Sequence, residues 1–199
     1  MGFIIFILFL ALIFSLILSK VKSGKYAVMA KIFRIATIVA TTAIFSYWFI
    51  GKSISKIAKN SVALQVVNKL PQPLDFYVIT KHINPESKAA RIETNHLGKI
   101  RSDHFRTDFL KMKNSDEYWI VGYLGKKNLA YFSQHSVPNK NIDQIVEVQN
   151  YINQSAKLSD QAKKEIEAYN YQNMKLSIWI TLDFLLLFLN VVLIFRRTK

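Results

Sequence analysis

The chain has 199 residues, 51% of them hydrophobic, no cysteine and a formal charge of +14. That length suits one or two compact units, and the lack of cysteine excludes disulfides and thiolate metal sites. The charge would point to nucleic acid in a chain with an even apolar distribution. Here eight of the basic residues (Lys20, Lys22, Lys25, Lys31, Arg34, Arg196, Arg197 and Lys199) flank apolar stretches, as membrane-edge anchors do. No nucleic-acid partner is expected.

The first apolar run, residues 3–18, is near the short limit for crossing a hydrocarbon core roughly 30 Å thick. A signal peptide would carry a positive region before its apolar run; here the lysines follow it, so a retained helix is expected. The second run, residues 32–50, begins beside Arg34 and ends near Tyr47 and Trp48, where an interfacial aromatic belt would sit. The two runs would form a hairpin over residues 1–51, joined by the lysine-rich loop 20–31. A third run, residues 176–195, has Trp179 near its start and closes on Arg196-Arg197. The basic loop and the basic C-terminus both belong in the cytoplasm by the positive-inside rule. The N-terminus and residues 52–175 would then lie outside. Lys52, Lys56 and Lys59 follow the second run at helical spacing and are candidate lipid-headgroup contacts. The stretch 52–176 holds 19 Lys and Arg against 12 Asp and Glu, so it is basic but not exceptional.

Between the second and third runs the pattern predicts a small α+β domain, an antiparallel sheet followed by helices. Residues 62–69 read as a strand or as the tail of the second helix. Pro71-Gln72-Pro73 is a turn, and residues 74–83 have strong β character. Asn84-Pro85 is a second turn. Residues 88–97 read as a strand or short helix broken at Gly98, and 99–112 is ambiguous between the two. After a loop at Asn114-Ser115-Asp116, residues 117–134 form the clearest hairpin, turning at 125–128. Ile142, Ile145, Val146, Gln149 and Ile152 recur at helical spacing, which predicts an amphipathic helix over 141–154. Ser159 is a candidate N-cap for a further helix. No Gly or Pro follows it before Arg197, so one helix of about 55 Å could run into the segment 176–199.

Asp183 is an ionisable residue within the third apolar run, where its cost makes it a functional or partner-binding candidate. Asn190 shares its face. Ala11, Ser15 and Ser19 in the first run, and Ala36 and Ala40 with Thr37 and Thr41 in the second, form small-residue rows that let helices approach closely. Four histidines (His82, His96, His104 and His135) have no recognised metal spacing, although His96, His104 and Asp108 could be imagined as a set. No P-loop, nucleophile elbow or dinucleotide fingerprint occurs. Lys88, Arg91, Lys99, Arg101, Arg106, Lys111 and Lys113 make a basic stretch that would meet anionic headgroups, an acidic protein face or solvent. Asn153-Gln154-Ser155 matches a glycosylation acceptor by its short motif alone.

The expectation is a multi-pass protein of a bacterial inner membrane, without cofactor or metal and not an enzyme. The abundance of Lys, Ile and Asn fits an AT-rich bacterial genome. Its role would be that of an accessory or scaffolding subunit, partnered by other integral membrane proteins and the lipid bilayer. The alternatives are an extracytoplasmic ligand sensor that signals through a partner, and a membrane enzyme acting on lipid or envelope substrates. A transporter would rest on Asp183 alone.

Overall fold

The computed structural model describes residues 2–21, 23–54, 61–83, 90–112, 117–137 and 139–196, and the side chains among them except those of 52–54, 82–83 and 90–91. Lys56, Lys59, the two turns at 84–85 and 114–116, and Lys88 and Lys113 lie outside these residues, as does the side chain of Lys52. Three helices and seven strands are described. They divide into a helical unit, residues 1–52 and 170–199, and a sheet unit, residues 53–169.

The helical unit contains α1 (Gly2–Leu18), α2 (Lys25–Ile54) and the second part of α3 (Ala156–Phe195). By length and composition α2 and α3 are apolar enough to cross a membrane, while α1 is apolar but shorter. α2 starts earlier than the apolar run suggests. Helices need not begin where hydrophobicity begins, and Lys25, Ala27, Met29, Ala30 and Lys31 are good helix formers.

The sheet unit has seven strands in chain order: β1 (Ser61–Asn68), β2 (Leu74–Ile83), β3 (Ala90–Ile100), β4 (His104–Lys111), β5 (Glu117–Leu124), β6 (Asn128–Ser136) and β7 (Gln144–Val148). The expected single antiparallel sheet is in fact two sheets. One has the order β3-β2-β5-β6 and is antiparallel throughout. The other has the order β4-β1-β7, in which β1 and β7 run parallel.

The two sheets face each other across a core that includes Leu64, Val66, Leu74, Phe76, Leu110 and Ile120. A second core lies on the other face of the four-stranded sheet. There Tyr77, Ile79, Trp119, Val121 and Phe132 pack against Ala162 and Ile166 of α3. β2 and β5 are therefore covered on both faces, which explains their near-continuous apolar sequence.

Three further expectations need correction. The strand predicted to break at Gly98 passes through it. Gly98 has φ +84° beside an irregularity in the β2–β3 pairing, a conformation glycine tolerates. A Cβ there would also lie 2.6 Å from Nη1 of Arg106, whose guanidinium donates to the Leu97 carbonyl at 2.5 Å.

The helix predicted over 141–154 is strand β7 followed by irregular chain. β1 has an edge that β7 can complete, with Leu64 opposite Gln144 and Asn68 opposite Val148. The chain beyond β7 then pairs with β6, where the Phe132 amide donates to the Ile152 carbonyl at 2.7 Å.

The N-cap of α3 is Ser155 rather than Ser159. The Leu158 amide donates to Ser155 Oγ at 3.3 Å. Asn153, the first residue of the glycosylation-like motif, orders this turn by accepting from the Ser155 amide and donating to Ser159 Oγ.

One buried polar residue fixes the β1–β2 corner. Asn68 is fully buried, donates from Nδ2 to the carbonyls of Gln72 and Ile100, and accepts at Oδ1 from the Leu70 amide. Its donors and acceptor are all used, as burial requires.

Titratable groups in the sheet unit bound its stability on both sides. Burial pushes the His135 imidazole below its ordinary 6.5. Burial, and then the neighbouring Tyr131, pushes the Tyr118 phenol up to about 12. Burial, then Glu167 and Tyr77, pushes Tyr123 up to about 12. A histidine held neutral contributes stability that is present above 6.5 and lost as the pH falls below it. A phenol with a raised value contributes stability that is present below 10 and lost as the pH rises towards 12. Thermal unfolding of the sheet unit, followed by tryptophan fluorescence of the full chain in detergent, should show both limbs. His135→Phe should flatten the acid limb and leave the alkaline one; an unchanged acid limb would assign that loss to other groups.

Candidate functional site in the three-helix unit

The buried face of α1 is Ile5, Leu8, Leu12 and Ser15, and that of α2 is Ala30, Arg34, Thr37, Thr41 and Phe45. The fully buried residues of α3 in this unit are Asp183 and Asn190. Six polar side chains therefore point inward. The outward residues include Phe3, Phe6, Leu10 and Ile17 on α1, Val28, Ile32, Val39 and Phe49 on α2, and Leu182, Leu185, Phe188 and Val192 on α3.

Asn190 joins the three helices. Ser15 Oγ donates to its Oδ1 at 2.7 Å. Its Nδ2 donates to the Leu12 carbonyl of α1 at 3.1 Å and to the Leu186 carbonyl of its own helix at 2.9 Å. Its backbone carbonyl lies 3.4 Å from Nη2 of Arg34 on α2, a long contact for a hydrogen bond.

The helix directions follow from further contacts. Phe45 of α2 stacks on Phe184 of α3 at 4.9 Å, so α2 rises as α3 descends from the Arg34–Asn190 level. α1 runs parallel to α3, because Phe9 meets Trp179 at 5.2 Å while Ser15 meets Asn190.

Seven residues along a helix are about 10 Å. From the Arg34–Asn190 level, seven residues along each helix bring Thr41 and Asp183 to the same height. Both Asp183 carboxylate oxygens and Thr41 Oγ1 are buried without a hydrogen-bond partner, and so is Nε of Arg34. Asp183 has no exposed surface, so another chain could reach it only by parting these helices. Ala36 and Ala40 lie on the opposite, exposed side of α2, and Ala11 is half-buried.

The arrangement was partly missed by sequence reading. The sequence marks Asp183, Asn190 and Ser15 as candidates and places Thr37 and Thr41 beside Ala36 and Ala40 in a small-residue row, but it reads Arg34 only as a membrane-edge anchor and does not join the three into one buried face. The available signal was the spacing 30, 34, 37, 41, 45 on α2, one helical stripe in a helix where polar residues are few.

At the loop-side ends of the same helices lies a cavity of about 590 Å³. Lys31, Arg34 and Arg196 line it together with apolar residues such as Leu18, Val28 and Leu193.

In the sheet unit the basic stretch is only partly gathered. Lys99, Arg101, His104 and Arg106 line an open hollow of about 510 Å³ at the β3–β4 turn. The three histidines whose side chains are described are apart, and that of His82 lies outside the described residues. His96 bonds Asp75 at 2.7 Å, His104 bonds the Ser102 carbonyl at 2.7 Å, and His135 meets Ser133 Oγ at 2.7 Å and stacks on Tyr118. Among the described residues no group of three His, Cys, Asp or Glu could hold a metal. Ser133 and His135 have the separation of a nucleophile and base, but Ser133 is sealed in the interior and presents no surface to a substrate. The exposed face of the three-stranded sheet carries Phe105, Phe109 and Ile145, with Ile142 beside it.

No protein-family model matches the chain, and no curated protein matches it. Among solved structures it is similar to one described as "Trapped Toxin", 14% identical over 39% of this chain and 19% of that one, with a TM-score of 0.24. So slight a likeness carries no argument about fold or function.

The unpartnered carboxylate of Asp183 and the fully partnered amide of Asn190 should respond oppositely to an apolar replacement. Asp183→Leu should raise the stability of the full chain in detergent, by about 1–3 kcal/mol, because it removes an unpaired polar burial. Asn190→Leu should lower it by a similar amount, because it orphans Ser15 and the Leu12 carbonyl. Denaturant titration followed by helical circular dichroism reads both; a clear loss in Asp183→Leu would mean that the carboxylate has a stabilising partner.

Proposed function

We propose that this chain is an integral membrane protein with three spans, formed by α1, α2 and the C-terminal part of α3. The observation that carries this reading is the reversed polarity of the helical unit, with polar residues inside and large apolar residues outside. In water that arrangement would expose apolar surface far beyond an ordinary monomer's. In lipid it satisfies both faces, because polar residues are kept within the bundle. With Lys20, Lys25, Lys31 and Arg196 in the cytoplasm, the sheet unit is extracytoplasmic. The host would be a bacterial inner membrane.

Within that membrane the chain serves as a non-catalytic accessory or scaffolding subunit of a larger complex. Two surfaces support protein contact. One is the apolar strip Phe105, Phe109 and Ile145 on the open sheet. The other is the exposed Ala36–Ala40 row of α2, which would let a partner helix approach closely. The runner-up, an extracytoplasmic ligand sensor, would use the basic hollow at Lys99, Arg101 and Arg106.

The lack of native cysteine makes the topology directly readable. In intact cells, Lys126→Cys in the β5–β6 turn should be labelled by an impermeant maleimide, and Ser23→Cys only after lysis. The reverse pattern would invert the orientation. Gentle-detergent purification of the tagged chain should recover a stoichiometric membrane partner, and Phe105→Ser with Phe109→Ser, or Ala40→Ile, should reduce its recovery about tenfold, the worth of roughly 1.4 kcal/mol. Recovery of the wild-type chain alone would overturn the accessory role.

A further inference from the structure

We propose that the cavity at the loop-side ends of α1, α2 and α3 is a binding site for the phosphate of an anionic lipid headgroup. The proposal rests on the membrane-spanning reading above and adds to it a specific ligand class.

Three cations converge on this cavity, Lys31 and Arg34 from α2 and Arg196 from the end of α3. Among the described residues no carboxylate lines it. Lys31 and Arg34 are three residues apart on one helix, so their side chains are neighbours. Arg34 decides the case. It is only 9% exposed, its Nε is buried without a hydrogen-bond partner, and among the described residues its one hydrogen bond is the long 3.4 Å contact to the Asn190 carbonyl.

A buried guanidinium in that condition is costly. It has donors in a fixed planar fork, matched to two oxygens of a phosphate. The cavity volume falls within the range of small-molecule sites. Its remaining walls, including Leu18, Val28, Leu193 and Ile194, offer acyl or glycerol contact rather than the polar lining a free ion would need. With α2 and α3 crossing the bilayer, this end lies at the cytoplasmic headgroup level. There anionic lipids are concentrated, and basic pockets between helices bind their headgroups.

The test uses the full chain reconstituted into phosphatidylcholine nanodiscs with and without phosphatidylglycerol, released and examined by native mass spectrometry. The wild type should retain phosphatidylglycerol in preference to phosphatidylcholine. Lys31→Gln with Arg196→Gln changes two exposed side chains and leaves the packing untouched; retention should fall about tenfold, as expected for losing two solvent-exposed charge contacts together. Arg34→Gln should lose more.

Equal retention of the two lipids, or retention unchanged in both variants, overturns the proposal while leaving the membrane reading intact. Thermal protection in detergent by inorganic phosphate alone, equal to that by phosphatidylglycerol, would make this a free-anion site and overturn the lipid assignment. Failure of the wild type to enter the nanodiscs overturns both readings.

Discussion

Three helices whose exteriors carry many large apolar residues hide six polar side chains between them, and that constraint governs the helical unit. In a low-dielectric interior each unpaired polar group is expensive. The amide of Asn190 meets the demand by using both protons and its oxygen, linking α1 to α3 and leaving its backbone carbonyl near Arg34. Asn68 does the same in the sheet unit, where its amide closes the corner between β1, β2 and β3. Each unit is thus pinned by one buried asparagine whose hydrogen-bonding capacity is spent. Asp183, Thr41 and Nε of Arg34 are where the constraint is left unmet. Those are the places where stability has been given up, and so where function is best sought.

The apolar runs were legible because lipid-like exteriors impose no periodicity, and an unbroken run reads as a helix whatever its neighbours do. What could not be read was which side of each helix faces inward. Ala36 and Ala40 look like a packing row, yet they are exposed, and the buried stripe only one or two positions along the chain is made of Arg34, Thr37 and Thr41. Inward choice depends on partners distant in sequence. Ser15 and Asn190 are 175 positions apart.

The sheet unit shows the same division. β2 and β5 are buried on both faces, and their aromatic and β-branched runs name them as strands. The β5–β6 hairpin is local, and Gly125, with φ +72°, supplies the turn. The segment 141–154 fails because Ile142, Ile145 and Ile152, the residues that suggested a helical stripe, are exposed. The residues that are buried are Val146 and Val148, two apart, a strand period hidden among the isoleucines. Only the free edge of β1 decides between the two readings, and that edge is about 80 residues away in the chain.

This pairing sets an order of events during synthesis. β1 is made early, and its antiparallel partner β4 follows within about 50 residues. The parallel partner β7 arrives only when nearly the whole domain has been made. Until then one side of β1 presents unpaired amides and carbonyls, a template for wrong pairing. Long-range parallel closure is also intrinsically slow. The nascent chain therefore passes through a vulnerable interval that ends when β7 docks, just before α3 begins. A shielding factor acting on the emerging domain would have its effect in that window, and a pause in translation after residue 112 would lengthen it.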